Sequence, residues 1–178
     1  DTLLDAVERD APKGLIIRSG KPTGFIAGAD ISEFTKFTSA DAARVAIARG
    51  QGVMNRIARL PFPTVARIHG FCMGGGLELA LACRARVARS DARLGLPEVQ
   101  LGIHPGFGGA ARLTRIIPAH DAMGLMLQGR LVDARTAKRM GFIDWAGEER
   151  HLDAAVEAAL TRPPKRPHAA WKLAALNM

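Results

Sequence analysis

The clearest pattern in the chain is a helical one over residues 41–59. Apolar side chains recur there at steps of three and four residues. They are Ala43, Ala46, Ile47, Met54 and Ile57. This is the spacing of one face of an α-helix. Ser39 or Asp41 is placed to cap its start, and Pro61 and Pro63 follow its end. The pattern therefore predicts a long amphipathic helix.

Short apolar runs bounded by glycine or proline predict strands. The predicted strands are residues 14–18, 25–31, 64–69, 86–88, 93–96 and 142–145. Helices are predicted over residues 1–9, from the glycines at 74–76 through Cys83, and from the turn at 105–109 through Ile117, with two or three more after it. Strands that alternate with helices predict an α/β or related layered fold.

Length and composition are typical of one globular domain. The chain has 178 residues, 48% of them hydrophobic and 24% charged, which is enough for a sizeable core. No apolar run approaches the ~20 residues that a membrane-spanning helix needs. Cys72 and Cys83 are too few for a disulfide framework and have apolar neighbours, so we expect buried, inert thiols and a reducing, cytoplasmic location. The chain begins without an initiator Met, so we expect a domain over residues 1–161, cut from a longer protein, and a proline-rich exit over residues 162–178.

The net charge of +8 narrows the class of ligand. A basic surface attracts nucleic acid or a small phosphorylated molecule. The arginines are spread along the chain and there is no tyrosine to stack on bases, so nucleic acid is not expected. The histidines are scattered away from cysteines and carboxylates, so no metal site is predicted either. A phosphorylated small molecule is the better match.

Three segments place glycine-rich backbone beside chemically useful side chains. They are Ala27-Gly28-Ala29-Asp30, Gly74-Gly75-Gly76-Leu77-Glu78, and Leu96-Pro97-Glu98 followed by Pro105-Gly106-Phe107-Gly108-Gly109. A triple glycine before a helix lets the backbone approach a ligand and offers N–H groups to negative charge, although a tight structural turn explains the glycines alone at least as well. Gly106, Gly108 and Ala111 also fit a G-x-G-x-x-A dinucleotide pattern. No apolar strand leads into it and no acidic residue follows about 20 positions on, so no bound NAD is predicted.

Taken together, the stretches FIAGADI, HGFCMGGGLELALAC and LGLPEVQLGIHPGFGG, in this order and spacing, resemble the crotonase superfamily, and closely its enoyl-CoA hydratase/isomerase branch. The resemblance covers residues 13–150, and it is strongest to the hydratase portion of the bacterial multifunctional fatty-acid oxidation alpha subunit. It implies a spiral of ββα units whose strands form two roughly perpendicular sheets, with C-terminal helices outside. Family members also carry an N-terminal strand pair before the first helix, so we expect this domain to be truncated at its N-terminus.

The resemblance also assigns site residues by their place in these motifs. It implies that the backbone N–H groups of Ala29 and Gly75 hold the thioester oxygen and that Glu78 and Glu98 are the catalytic carboxylates. The backbone of Gly106 is expected to help place the attacking water. The CoA moiety is expected beside Gly28, Asp30 and Lys21. No metal or redox cofactor is implied, because coenzyme A is carried by the substrate.

The implied chemistry explains why two carboxylates are needed. Adding water to a 2-enoyl thioester builds charge on the thioester oxygen, which two backbone donors stabilise. One carboxylate takes a proton from water and the other gives one to C2. We assign the first role to Glu78 and the second to Glu98. Members that only shift double bonds usually keep the carboxylate at the Glu98 position alone, so both together favour a hydratase, with isomerase activity in addition.

Two other interpretations stay open. One is a different enolate reaction within the superfamily, such as isomerisation, dehalogenation or thioester hydrolysis. The other is a non-catalytic acyl-CoA-binding fragment of a larger multifunctional subunit. The resemblance also implies an oligomer, either a trimer if the protein stands alone or an assembly with a thiolase partner if it belongs to the multifunctional complex.

Overall fold

Helices and strands alternate along residues 2–28 and 38–164, the part of the chain that the computed structural model describes. The helices within it are α1 (Thr2–Asp10), α2 (Ala40–Arg59), α3 (Gly75–Ala82), α4 (Gly109–Ile116), α5 (Ala119–Gln128), α6 (Ala134–Met140) and α7 (Leu152–Thr161). The strands are β1 (Leu15–Arg18), β2 (Gly24–Ile26), β3 (Thr64–Ile68), β4 (Phe71–Met73), β5 (Ala85–Arg89), β6 (Arg93–Gly95), β7 (Val132–Asp133) and β8 (Trp145–Gly147). Short 3-10 helices lie at Glu98–Leu101 and Glu149–His151.

From β1 to β6, successive strands belong to alternate sheets, and β7 then joins the same sheet as β6. Within the described residues, one sheet has the order β1-β3-β5-β8 and the other the order β2-β4-β6-β7. All neighbouring strands are parallel except β6 and β7. Helix α2 follows the pair β1 and β2, and helix α3 follows the pair β3 and β4. The predicted α/β spiral of ββα units with helices at its C-terminal end is therefore confirmed.

Helix α2 forms where the apolar spacing predicts it. Ser39 is its N-cap, and the Ser39 hydroxyl accepts a hydrogen bond from the N–H of Ala42 at 3.1 Å, which decides between the two predicted caps. Met54 and Ile57 are buried on its inner face, and the helix packs against α3. This contact brings the polar residues of α2's second half close to the glycine-rich segments.

Helix α3 lies at the centre of the core. Six of its eight residues are buried, and four of them, Leu77, Ala80, Leu81 and Ala82, pack in one hydrophobic cluster with residues of β3, β4, β5 and β6. A helix that is buried on all sides is normally apolar throughout, so Glu78 in its first turn is an exception that requires explanation. Cys72 and Cys83 belong to the same cluster as buried thiols, as expected, and burial raises the pKa of the Cys72 thiol.

The strand predictions fail at three places for physical reasons. Strand β7 was not predicted, because its two residues are too few to show a period. Strand β4 has three residues between Gly70 and Gly74, so the segment has the composition of a turn and is too short to show a period. Strand β8 begins at Trp145, whereas the prediction covers residues 142–145. Phe142 is buried although it precedes the strand, so its apolar character reflects burial in the core rather than a strand. Of the other predicted segments, residues 29–31 and 165–178 lie outside the described residues.

No helix in residues 2–28 and 38–164 combines the length and the apolar character that a membrane span needs.

Candidate active site

The triple glycine holds the start of α3 against strand β2. Gly74 is the N-cap with a φ of +53°, a conformation that side chains disfavour. A Cβ on Gly76 would run into the backbone carbonyl of Ile26 in β2. This close approach places the first turn of α3, and Glu78 with it, in the interior.

The carboxylate of Glu78 is buried but held by main-chain donors. Glu78 is only 2% exposed. Oε1 accepts hydrogen bonds from the N–H of Phe107 at 2.8 Å and from the N–H of Gly109, the first residue of α4, at 2.7 Å. Burial raises the pKa of Glu78, while these two N–H groups and the positive charge of Arg112 act to lower it. Two donors at a helix N-terminus favour the ionised form.

The carboxyl group of Glu98 has a different environment. Glu98 opens the 3-10 helix after Pro97 and is half-buried, and its Oε1 lies 3.4 Å from the place of a Cβ on Gly74. Its Oε2 is buried with no hydrogen-bond partner among the described residues. Burial raises the pKa of Glu98, a hydrogen bond from its own backbone N–H acts to lower it, and the negative charge of Glu78 raises it. The environment therefore favours the protonated form.

Both carboxyl groups face one cavity of about 570 Å³. Glycine backbone from several segments lines it beside them, at Gly28, Gly74, Gly75 and Gly106. The apolar part of the lining comes from Ile47, Leu101, Ile103 and Phe107. The cavity thus combines paired acids, exposed main chain and an apolar wall, which is the composition of a site for a small organic ligand.

Most of the predicted site residues meet at this cavity. Gly28, Gly75, Glu78, Glu98 and Gly106 all line it, and Gly75 is the first residue of α3, where a backbone N–H has no acceptor within the helix. The roles assigned to them stay predictions. Lys21 does not line the cavity; it is exposed, and its carbonyl contacts the ring of His69 at 2.8 Å. Ala29 and Asp30 lie outside the described residues.

Several residues that support the site were missed by the sequence reasoning. The Arg112 guanidinium donates to the carbonyl of Phe107 at 2.9 Å and to Asn55 Oδ1 at 2.6 Å. Gln51 donates to the carbonyl of Gly106 at 2.8 Å. In the sequence, the position of Arg112 about one turn after the PGFGG segment is a weak indication that it contacts this loop. The N–H groups that hold Glu78 have no sequence signal at all, because every residue except proline has one.

Known proteins share this fold and sequence. A family described as Enoyl-CoA hydratase/isomerase matches residues 2–174. The chain is 48% identical over 146 residues to the fatty acid oxidation complex subunit alpha of Aliivibrio fischeri, which is 80% of this chain but 21% of that subunit. It therefore spans about a fifth of the length of that relative.

Solved structures agree with the sequence comparison. The enoyl-CoA hydratase from Bacillus anthracis is 34% identical with a TM-score of 0.82, over 89% of this chain and 62% of that one. An enoyl-CoA hydratase/carnithine racemase from Magnetospirillum magneticum is 26% identical with a TM-score of 0.83, over 99% and 69%. The crotonase resemblance is thereby confirmed, and this chain belongs to the enoyl-CoA hydratase/isomerase family.

Proposed function

We propose that this chain adds water to 2-trans-enoyl-CoA to give 3-hydroxyacyl-CoA, as an enoyl-CoA hydratase of fatty-acid β-oxidation. The unequal setting of two carboxyl groups in one cavity carries the proposal. Glu78 has two N–H donors on one oxygen, whereas Oε2 of Glu98 is buried without a partner among the described residues. Hydration requires one ionised base and one protonated acid, and the different surroundings of these two carboxyl groups suit that division.

The proposed steps move one proton at each end of the added water. Glu78 takes a proton from the water while the water oxygen forms a bond to C3, and Glu98 gives its proton to C2. The charge that builds on the thioester oxygen is stabilised by the backbone N–H groups of Gly75 and Ala29. Glu78 then releases its proton and Glu98 takes one up, which completes a cycle that consumes one water. Ile47 and Leu101 in the cavity wall suit an acyl chain.

The same site supports isomerisation between 3-enoyl-CoA and 2-enoyl-CoA as a second activity. That reaction removes a proton from C2, returns one to C4 and needs no attacking water, so the carboxyl group of Glu98 is sufficient for it when it starts in the ionised form. The similarity to a fatty acid oxidation complex alpha subunit supports a place in a cytoplasmic bacterial complex with a thiolase partner, or a trimer if the protein stands alone. Coenzyme A enters with the substrate, and no further cofactor is part of the proposal.

The function is tested by hydration of crotonyl-CoA with Glu78→Gln and Glu98→Gln. Glutamine keeps the size of the side chain and abolishes proton transfer, so each change is expected to slow hydration by about 100-fold or more. The double variant is expected to be scarcely slower than either single one, since residues that act as a unit are not additive. Glu157→Gln on the exposed face of α7 is the matched control.

A second assay separates the two roles. In isomerisation of a 3-enoyl-CoA, Glu98→Gln is expected to be damaging and Glu78→Gln mild. The reverse pattern would exchange the two roles. A wild-type protein that binds CoA thioesters but hydrates none would instead support the non-catalytic acyl-CoA-binding fragment.

A further inference from the structure

The guanidinium of Arg112 joins the site loop to helix α2. Arg112 lies in the first turn of α4, and its side chain turns back toward the residues that precede the helix. Nη1 donates to the carbonyl of Phe107 at 2.9 Å, and Nη2 donates to Oδ1 of Asn55 at 2.6 Å. Asn55 belongs to α2, so one side chain links two helices through the loop between 105 and 109.

The same loop residue holds the proposed base. The N–H of Phe107 donates to Oε1 of Glu78 while its carbonyl accepts from Arg112. Both backbone groups of Phe107 are therefore fixed, one by the carboxylate and one by the cation. A loop that is held in this way keeps the donors of Glu78 at their distances of 2.8 Å and 2.7 Å.

The packing around the loop leaves little room for another arrangement. A Cβ on Gly108 would run into Nη1 of Arg112. On the other side, a Cβ on Gly50 of α2 would lie 2.5 Å from the Phe107 ring. The amide of Gln51, also on α2, donates to the carbonyl of Gly106. Helix α2 thus contacts the loop directly at two places besides the Arg112 link.

We propose that Arg112, anchored by Asn55, is the positioning residue for Glu78, because it fixes the loop whose N–H groups hold that carboxylate. The inference rests on the proposed hydratase function. Arg112 does not need to touch the substrate in this role. Its positive charge has a second effect, since it lowers the pKa of Glu78 against the opposing effect of burial. The other titratable groups that act with Glu78 are His104, which also lowers its pKa, and Glu98, which shares the cavity.

A purely structural tie between α2 and α4 is the alternative, and the pH dependence distinguishes the two. Glu78 must be ionised to accept a proton from water, so activity falls on the acid side as Glu78 becomes protonated. Removal of the Arg112 charge raises the pKa of Glu78. The acid limb of the kcat profile is then expected to move to higher pH, which loss of a structural tie alone would not cause.

The test compares Arg112→Met, Arg112→Lys and Arg115→Met in the hydration of crotonyl-CoA. Arg112→Met is expected to lower kcat by about 10- to 100-fold, the cost of a misplaced catalytic group, with KM little changed and the acid limb moved to higher pH. Arg112→Lys keeps the charge and is expected to return the limb toward its wild-type position. Arg115→Met removes an exposed charge from the same helix and is expected to match the wild type.

The outcomes separate this inference from the function beneath it. An inactive wild-type protein would contradict the hydratase function, whereas an active wild type with an Arg112→Met variant equal to Arg115→Met would overturn the positioning role alone. A kcat loss without a shift of the limb would overturn it as well. If circular dichroism shows that Arg112→Met does not fold, Asn55→Ala is the deciding variant. Asn55 is exposed, so Asn55→Ala is expected to fold. An unchanged kcat in that variant would contradict the proposal that Asn55 anchors Arg112.

Discussion

Replacing Gly109 with alanine is expected to displace the carboxylate of Glu78. Gly109 is the first residue of α4, and its N–H donates to Oε1 of Glu78 at 2.7 Å. A Cβ on Gly109 would lie 2.7 Å from Cγ and 2.9 Å from Oε1 of Glu78. Contacts under 3.0 Å are essentially never made by real Cβ atoms, and neither atom is the end of an exposed, flexible side chain. The carboxylate must therefore move toward the cavity.

The size of the movement sets the expected loss. Ordinary contact begins at 3.4 Å, so Cγ must retreat by about 0.7 Å from its distance of 2.7 Å. Misplacement of a catalytic group by about 1 Å costs on the order of 100-fold in rate, which corresponds to about 2.7 kcal/mol. Insertion of a methyl group into a packed core costs about 1–3 kcal/mol of stability. A folded variant with a damaged site is the expected result.

The assay is the initial rate of crotonyl-CoA hydration, followed through the loss of absorbance of the conjugated thioester. Gly124→Ala is the control, because it makes the same change in the middle of α5 where nothing lies within 4 Å of the new Cβ. This control is expected to gain about 0.5–1 kcal/mol of stability from helix propensity with unchanged turnover. If Gly109→Ala hydrates crotonyl-CoA as fast as Gly124→Ala does, the role given to Glu78 is wrong.

Two further predictions concern stability. Burial raises the pKa of Glu98, so its stabilising contribution is complete below the unfolded pKa of about 4.3 and is lost as pH rises through the folded pKa. Glu98→Gln is therefore expected to have a higher Tm than the wild type near neutral pH, with no difference below about pH 4; a difference independent of pH would contradict this. Arg86 is 5% exposed and donates to Asp144 and two main-chain carbonyls, so Arg86→Met is expected to lower the free energy of unfolding in urea by about 3–5 kcal/mol. The exposed Arg84→Met is its control, and an equal effect of both changes would show that the buried network does not matter.

The sequence predicts well those features for which many residues give the same indication. Helix α2 has 20 residues, so its apolar face shows several repeats, and a capping serine marks its start. The glycine segments were found because their composition is unusual and their order resembles one superfamily. Glu78 and Glu98 came from that resemblance, since a single glutamate near a helix start has an ordinary structural explanation.

The features that were missed depend on contacts between distant parts of the chain. Strand β4 has too few residues for a pattern, and it forms because β2 and β6 pair with it on either side. Arg112 and Asn55 are 57 residues apart, and neither has a neighbour in sequence that suggests the other. Their hydrogen bond arises only when α2 packs beside the loop that leads into α4.

The proposed difference in role between the two glutamates likewise depends on the fold. The two side chains are chemically identical, and burial raises the pKa of both. What differs is the compensation: Glu78 accepts from two N–H groups of other residues and has a nearby guanidinium, whereas Glu98 is compensated through its own backbone N–H, and its buried Oε2 has no partner among the described residues. The donors around Glu78 therefore favour its ionised form more than the surroundings of Glu98 favour that of Glu98. In the proposed mechanism, the backbone at Phe107 and Gly109, rather than the identity of either glutamate, makes Glu78 the base.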